Sequence, residues 1–121
     1  HNFLTPKFFT PEQMSTYFSN AKIVLNYHTW HGKYSHGVNP RLFEALGCCS
    51  VQVVDFKDEI AALFDIGKDL IVYYNIEELP NLLSEILADD LRLNSIAKSG
   101  YQKVINNHTY QLRMKQMLDF L

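Results

Sequence analysis

Apolar residues along the chain alternate between helical spacing and short continuous runs. Met14, Tyr17, Phe18 and Ala21 recur at helical spacing behind Thr10-Pro11-Glu12-Gln13, a capping-box pattern with proline in the first turn, so a helix is predicted over residues 11–19. Ala21-Lys22-Ile23-Val24-Leu25-Asn26-Tyr27 is short, apolar and rich in β-branched residues, as a buried strand should be. Residues 27–38 are too polar and aromatic for a regular element. A helix opening at Pro40, a strand over 50–54, a short helix over 58–64 stopped near Gly67 and a third strand over 70–74 follow. Beyond them, Leu79, Leu82, Leu83, Ile86 and Leu87 mark an amphipathic helix in which Pro80 is tolerable within the first turn. Helices over 90–106, and after Thr109 through Met114, Met117, Leu118 and Leu121, complete a helical C-terminal third.

Strands separated by single helices imply parallel βαβ units with right-handed crossovers, hence an α/β fold with a short parallel sheet of at least three strands. No repeat, low-complexity tract or linker divides residues 1–121, so one domain is expected. Three strands make a narrow sheet with an open edge. The expectation is a piece of a longer protein whose N-terminal part supplies further strands, with dimerisation through the edge as the alternative.

Between the first two strands, residues 37–50 read Gly-Val-Asn-Pro-Arg-Leu-Phe-Glu-Ala-Leu-Gly-Cys-Cys-Ser. Gly37 permits positive φ, Asn39 is a good N-cap and Pro40 suits the first helical position, so the helix opens with unpaired N–H groups that attract anions. Glu44 follows one turn later among Leu42, Phe43, Ala45 and Leu46. Two readings stand: a carboxylate placed for sugar hydroxyls, or one that favours the positive end of its own helix.

Composition narrows the classes. With 121 residues, 47% hydrophobic and 20% charged, the chain suits a soluble domain with a real core. A net charge of −2 with scattered basic residues lowers nucleic acid as a partner. No apolar run approaches the roughly 20 residues of a membrane helix, and the start has no signal-peptide layout, so a cytoplasmic location is expected. Adjacent Cys48 and Cys49 rarely satisfy disulfide geometry and are expected reduced and buried at a helix-to-strand junction. A metal held by His28, His31 and His36, with Cys48, is disfavoured because the spacing matches no closed zinc pattern. A dehydrogenase half is disfavoured because no Gly-x-Gly-x-x-Gly follows a strand.

The residues resemble the C-terminal lobe of glycosyltransferases built from two Rossmann-like lobes, the GT-B architecture. The closest likeness is to the "glycosyl transferases group 1" set that includes CgeB-like proteins. It rests on Leu25-Asn26, the block from Gly37 to Cys48, Phe64 with Gly67, and Val72-Tyr73. Supporting it are Glu77-Glu78-Leu79, Ile96-Ala97-Lys98-Ser99-Gly100 and His108-Thr109-Tyr110 with Arg113. The resemblance spans residues 12–121 and implies a three-layer Rossmann-like lobe that binds a UDP- or GDP-sugar. It also implies transfer of the sugar to a glycan or other acceptor, in polysaccharide or glycoconjugate synthesis, without a bound metal or cofactor. Glu44 matches the glutamate that generally binds the ribose hydroxyls, and a carboxylate can accept from two vicinal hydroxyls at once. Amides at Asn39 to Arg41 would face the diphosphate. The candidate donor-binding residues are Gly37, Val38, Asn39, Arg41 and Glu44, with His36. Many relatives carry a second glutamate at the position of His36, although the CgeB-like set commonly lacks it.

Arg41 has two readings, a phosphate contact or a structural ion pair, which includes pairing with Glu44. His28 and Trp30 fit either a sugar or base pocket or simple loop packing. Cys49 stands where the set usually has glycine, a tolerable change if the helix end avoids positive φ. The acceptor lobe is expected outside these residues, so no catalytic residue is assigned and the isolated chain is expected to be inactive. The competing class is a non-catalytic interaction domain that kept the fold.

Overall fold

The computed structural model describes residues 8–28 and 37–121. Local capping sets the helix boundaries. Helix α1 (Pro11–Asn20) opens at a reciprocal capping box in which Thr10 Oγ1 accepts from the Gln13 N–H and Gln13 Oε1 accepts from the Thr10 N–H. Helix α2 (Pro40–Gly47) has Asn39 as N-cap and proline at its start. Helix α3 (Asp58–Leu63) is short, and a 3₁₀ turn (Ile76–Glu78) leads into α4 (Leu79–Leu87), whose proline lies in the first turn as expected. Asp89 and Thr109 cap α5 (Asp90–Asn107) and α6 (Tyr110–Phe120).

The strands β1 (Ile23–Asn26), β2 (Val51–Asp55) and β3 (Ile71–Tyr73) form a parallel sheet in chain order, with Ile23 opposite Val51 and Val53 opposite Ile71. Side chains alternate across it. Val54 and Val72 face a core with Leu42 and Leu46 of α2 and Ile60 of α3, while Val51, Val53, Ile71 and Tyr73 face Leu79 and Ile86 of α4. Helix α5 serves both layers, since Leu93 and Ile96 join the second core and Val104 joins the first. The result is the expected three-layer, Rossmann-like α/β arrangement with a helical C-terminal part.

Two contacts hold α5 across the amino ends of the strands. A Cβ on Gly100 would lie 2.3 Å from the Asp69 carbonyl oxygen and 2.8 Å from Leu46 Cδ2, so only glycine permits this approach without displacement. Buried Asp69, just ahead of β3, accepts from Ser99 Oγ at 2.6 Å and from the Asp65 N–H at 2.9 Å, with Lys103 Nζ 3.8 Å away. Among the described residues no helix is long and apolar enough to cross a membrane.

The cysteine expectation is corrected. Both thiols are free at the α2-to-β2 junction, but Cys48 is half-buried and Cys49 exposed. The inward stripe of α2 ends at Leu46, and the chain then leaves the helix through a Schellman motif. In that motif the Cys49 N–H donates to the Leu46 carbonyl at 3.0 Å and the Ser50 N–H to the Ala45 carbonyl at 3.3 Å. The turn puts Cys49 at φ 60°, so this helix end does not avoid positive φ. A left-handed non-glycine residue costs roughly 1–2 kcal/mol, partly offset by the greater unfolded-state freedom of glycine. Cys49→Gly should therefore raise the unfolding free energy by up to about 1 kcal/mol in urea titrations; a destabilised variant would show that the thiol contributes more than the turn costs.

Candidate functional site

Asn26 ends β1 with no exposed surface, which leaves its amide to find partners inside the protein. Asn39 supplies both: Asn26 Nδ2 donates to Asn39 Oδ1 at 2.8 Å, and Asn39 Nδ2 donates to Asn26 Oδ1 at 2.9 Å. Asn39 Oδ1 also accepts from the Leu42 N–H at 3.3 Å, so one side chain caps α2 and ties its first turn to the end of β1.

His28, 1% exposed, closes the second half of this lock. Its Nε2 accepts from the Asn39 N–H at 3.1 Å, which leaves Nδ1 to carry the proton toward Asp55 Oδ1 at 2.8 Å. Asp55, at the end of β2, also accepts from the His28 N–H at 2.9 Å and lies 3.7 Å from buried Lys57 Nζ. Tyr73 at the end of β3 donates its hydroxyl to the Asn26 carbonyl at 3.2 Å. Burial first, and then the nearby Asp55 carboxylate and Tyr27, push the Tyr73 phenol up to about 12, which keeps it a donor at any physiological pH. The end of β1 thus holds the start of α2 directly, the end of β2 holds it through His28, and the end of β3 is tied to β1.

The predicted site residues separate into distinct roles. Gly37 adopts φ 84°, as a positive-φ approach requires, and half-buried Val38 packs against the first core. Asn39 is committed to the lock through both its amide side chain and its N–H. Pro40 has no N–H, and the Leu42 N–H goes to Asn39, so at the helix start the Arg41 amide is the group left to meet a ligand. Arg41 and Glu44 are exposed, and among the described residues neither forms an ion pair with the other. His28 resolves to loop packing, since both ring nitrogens are engaged internally. His36, Trp30 and His31 lie outside the described residues.

Glu44 stands between two grooves. One, of about 440 Å³, runs between α1 and α2 past Phe9, Met14 and Phe18. The other, of about 210 Å³, is lined by Val38, Pro40, Phe43, Glu44, His108 and Arg113, with Tyr110 at its side. Helix α6 brings Arg113 there through His108. The ring packs against Phe43 and Phe64, with centroids 5.7 and 5.1 Å away, while Nε2 lies 3.1 Å from the Leu63 carbonyl and Nδ1 lies 2.7 Å from Arg113 Nη2. A carbonyl can only accept and a guanidinium can only donate, so this histidine is neutral with its proton on Nε2. Burial lowers its pKa from the ordinary 6.5, and the charges of Arg113 and Lys103 lower it further, against the opposing Leu63 hydrogen bond and Asp69.

The strand-end lock thus exposes a helix start with a carboxylate one turn in. A family model described as "Glycosyl transferase-like" matches residues 3–119. The chain belongs to the glycosyl transferase-like family. No curated protein and no solved structure matches it. Within this family member, the lock was absent from the expectations drawn from sequence. Its two traces in the sequence were Asn26, a polar residue that ends an apolar strand, and Asp55, which ends the next strand in the same way.

Two outcomes follow for stability. Asn39→Ala removes the cap, worth about 1 kcal/mol, and strands the buried Asn26 amide at roughly 1–3 kcal/mol, so a total loss of about 2–4 kcal/mol is expected in chemical denaturation. The second concerns pH. Folded His108 titrates below its unfolded value of 6.5, so as pH falls the unfolded chain binds the proton first. Its contribution to stability is complete above pH 6.5 and is lost progressively below it, down to the folded value. Unfolding free energies of His108→Gln should therefore decline less steeply below pH 6.5 than those of the unsubstituted chain; equal slopes would refute the assignment.

Proposed function

We propose that this chain is the donor-binding lobe of a GT-B glycosyltransferase, nearest to the "glycosyl transferases group 1" set with its CgeB-like proteins. The observation that carries the reading is the placement of Glu44: exposed, one turn into α2, beside a helix start that the Asn26–Asn39 and His28–Asp55 contacts fix at the carboxyl ends of a parallel sheet. Ligands of open α/β sheets bind at that end.

In this reading Glu44 accepts hydrogen bonds from the two vicinal ribose hydroxyls of a UDP- or GDP-sugar. The Arg41 amide, the positive end of α2 and the Arg41 guanidinium face the diphosphate. Transfer breaks the bond between the anomeric carbon and the diphosphate oxygen and forms one to an acceptor hydroxyl oxygen, which gives up its proton. The positive groups stabilise the departing nucleoside diphosphate, so the reading calls for no metal. The acceptor comes from a second lobe, with a glycan or glycoconjugate made in the cytoplasm as product.

Calorimetry with UDP and GDP tests the reading. Binding of one nucleotide is expected, weakened about tenfold or more in Glu44→Ala, since hydrogen bonds to a charged group contribute about 1.5–3 kcal/mol. Circular dichroism should not change, because the side chain is exposed. Binding that ignores Glu44, or no binding of either nucleotide, would sink the proposal in favour of a non-catalytic interaction domain.

A further inference from the structure

Arg113 is the positive charge that the site reading leaves unused, and its surroundings are unusual for an arginine. Nη2 donates to the neutral His108 Nδ1 at 2.7 Å and Nη1 to Gln116 Oε1 at 3.0 Å. Both partners are uncharged, and among the described residues no carboxylate lies within ion-pair distance of this guanidinium. The side chain is therefore oriented without being neutralised. It keeps its full charge and further N–H donors for a ligand.

The position of His108 explains how the guanidinium is fixed. Phe43 comes from α2, Phe64 follows α3 and the Leu63 carbonyl ends α3, so the ring that holds Arg113 is itself held by the layer that carries Glu44. Glu44 and Arg113 line one groove of about 210 Å³ together with Val38 and Pro40 at the α2 start, yet among the ion pairs of the described residues they do not pair with each other. A ligand that fits must offer hydroxyl donors to the carboxylate and anionic oxygens to the guanidinium. The volume is below the ~300–1,000 Å³ of a pocket for a whole small molecule, so it suits one segment of a larger ligand.

We infer that Arg113, positioned by His108, is a phosphate-binding residue of this groove, holding the phosphate next to the ribose that Glu44 engages. The inference rests on the donor-binding reading and extends it, because it places a diphosphate contact on α6, outside the α2 start. A planar guanidinium meets two phosphate oxygens at once, whereas the helix-start amide supplies a single N–H.

Titrations with UDP, inorganic pyrophosphate and uridine separate the contacts. Arg113→Gln should weaken UDP and pyrophosphate about tenfold and leave uridine unchanged, while Glu44→Ala should weaken UDP and uridine and leave pyrophosphate unchanged. Arg113→Lys, which keeps the charge but loses the fork, should fall between. In the unsubstituted chain, the Arg113 side-chain NMR resonance should shift on addition of pyrophosphate, a readout that needs no variant to fold. Unchanged UDP and pyrophosphate affinities in Arg113→Gln, an equal loss for uridine, or no pyrophosphate binding to the unsubstituted chain would overturn the inference. Arg113-dependent pyrophosphate binding without any nucleotide binding would uphold the phosphate contact while removing the ribose role of Glu44. Nucleotide binding that needs Glu44 but not Arg113 would do the reverse.

Discussion

The reciprocal amide pair between Asn26 and Asn39 is the contact on which the arrangement of this domain turns. A parallel sheet places its ligand-facing edge at the carboxyl ends of the strands, and a helix start is useful there only if its position is fixed. Here the fixing is polar and complete on both sides: Asn26 and Asn39 satisfy each other, and His28 joins the Asn39 N–H to the carboxylate that ends β2. Buried polar groups left half-satisfied are costly, so such a network specifies one geometry more sharply than apolar packing alone. Its consequence is a division of labour along α2. Asn39 belongs to the scaffold, and the groups that remain for a ligand begin at Arg41 and Glu44.

Much of the fold was legible because it is written in local patterns. The capping box at Thr10, the Asn39-Pro40 start and the Thr109 cap each set a helix boundary through residues three positions apart, and the three apolar runs stand out against their flanks. Glu44 was legible for a related reason, since a carboxylate that interrupts an apolar helix shows in the sequence itself. The lock was not legible, because hydrogen bonds between residues 13 and 27 positions apart leave no periodic trace. The cysteines failed differently: cysteine's general tendency to be buried takes no account of the helix end, where the Schellman turn carries Cys49 out of α2 to the surface. The groove beside Glu44 needs His108 and the start of α6 brought next to α2, which no local pattern specifies.

The two grooves flanking Glu44 differ in chemistry as well as in size, and the proposed reading takes the smaller as the ligand site. The larger, between α1 and α2, presents Phe9, Met14 and Phe18 and, among the described residues, no cation, so a carboxylate on its rim would face an apolar surface. The smaller joins the same carboxylate to a guanidinium and to the start of α2, where the backbone already favours negative charge. An arginine in such a place usually meets a carboxylate, and that pairing would cancel the field the groove could offer. A neutral histidine avoids the cancellation. Held by an aromatic pair and a backbone carbonyl, it fixes the arginine through an acceptor that carries no charge, so geometry and charge are both preserved for a ligand that brings the counter-charge with it.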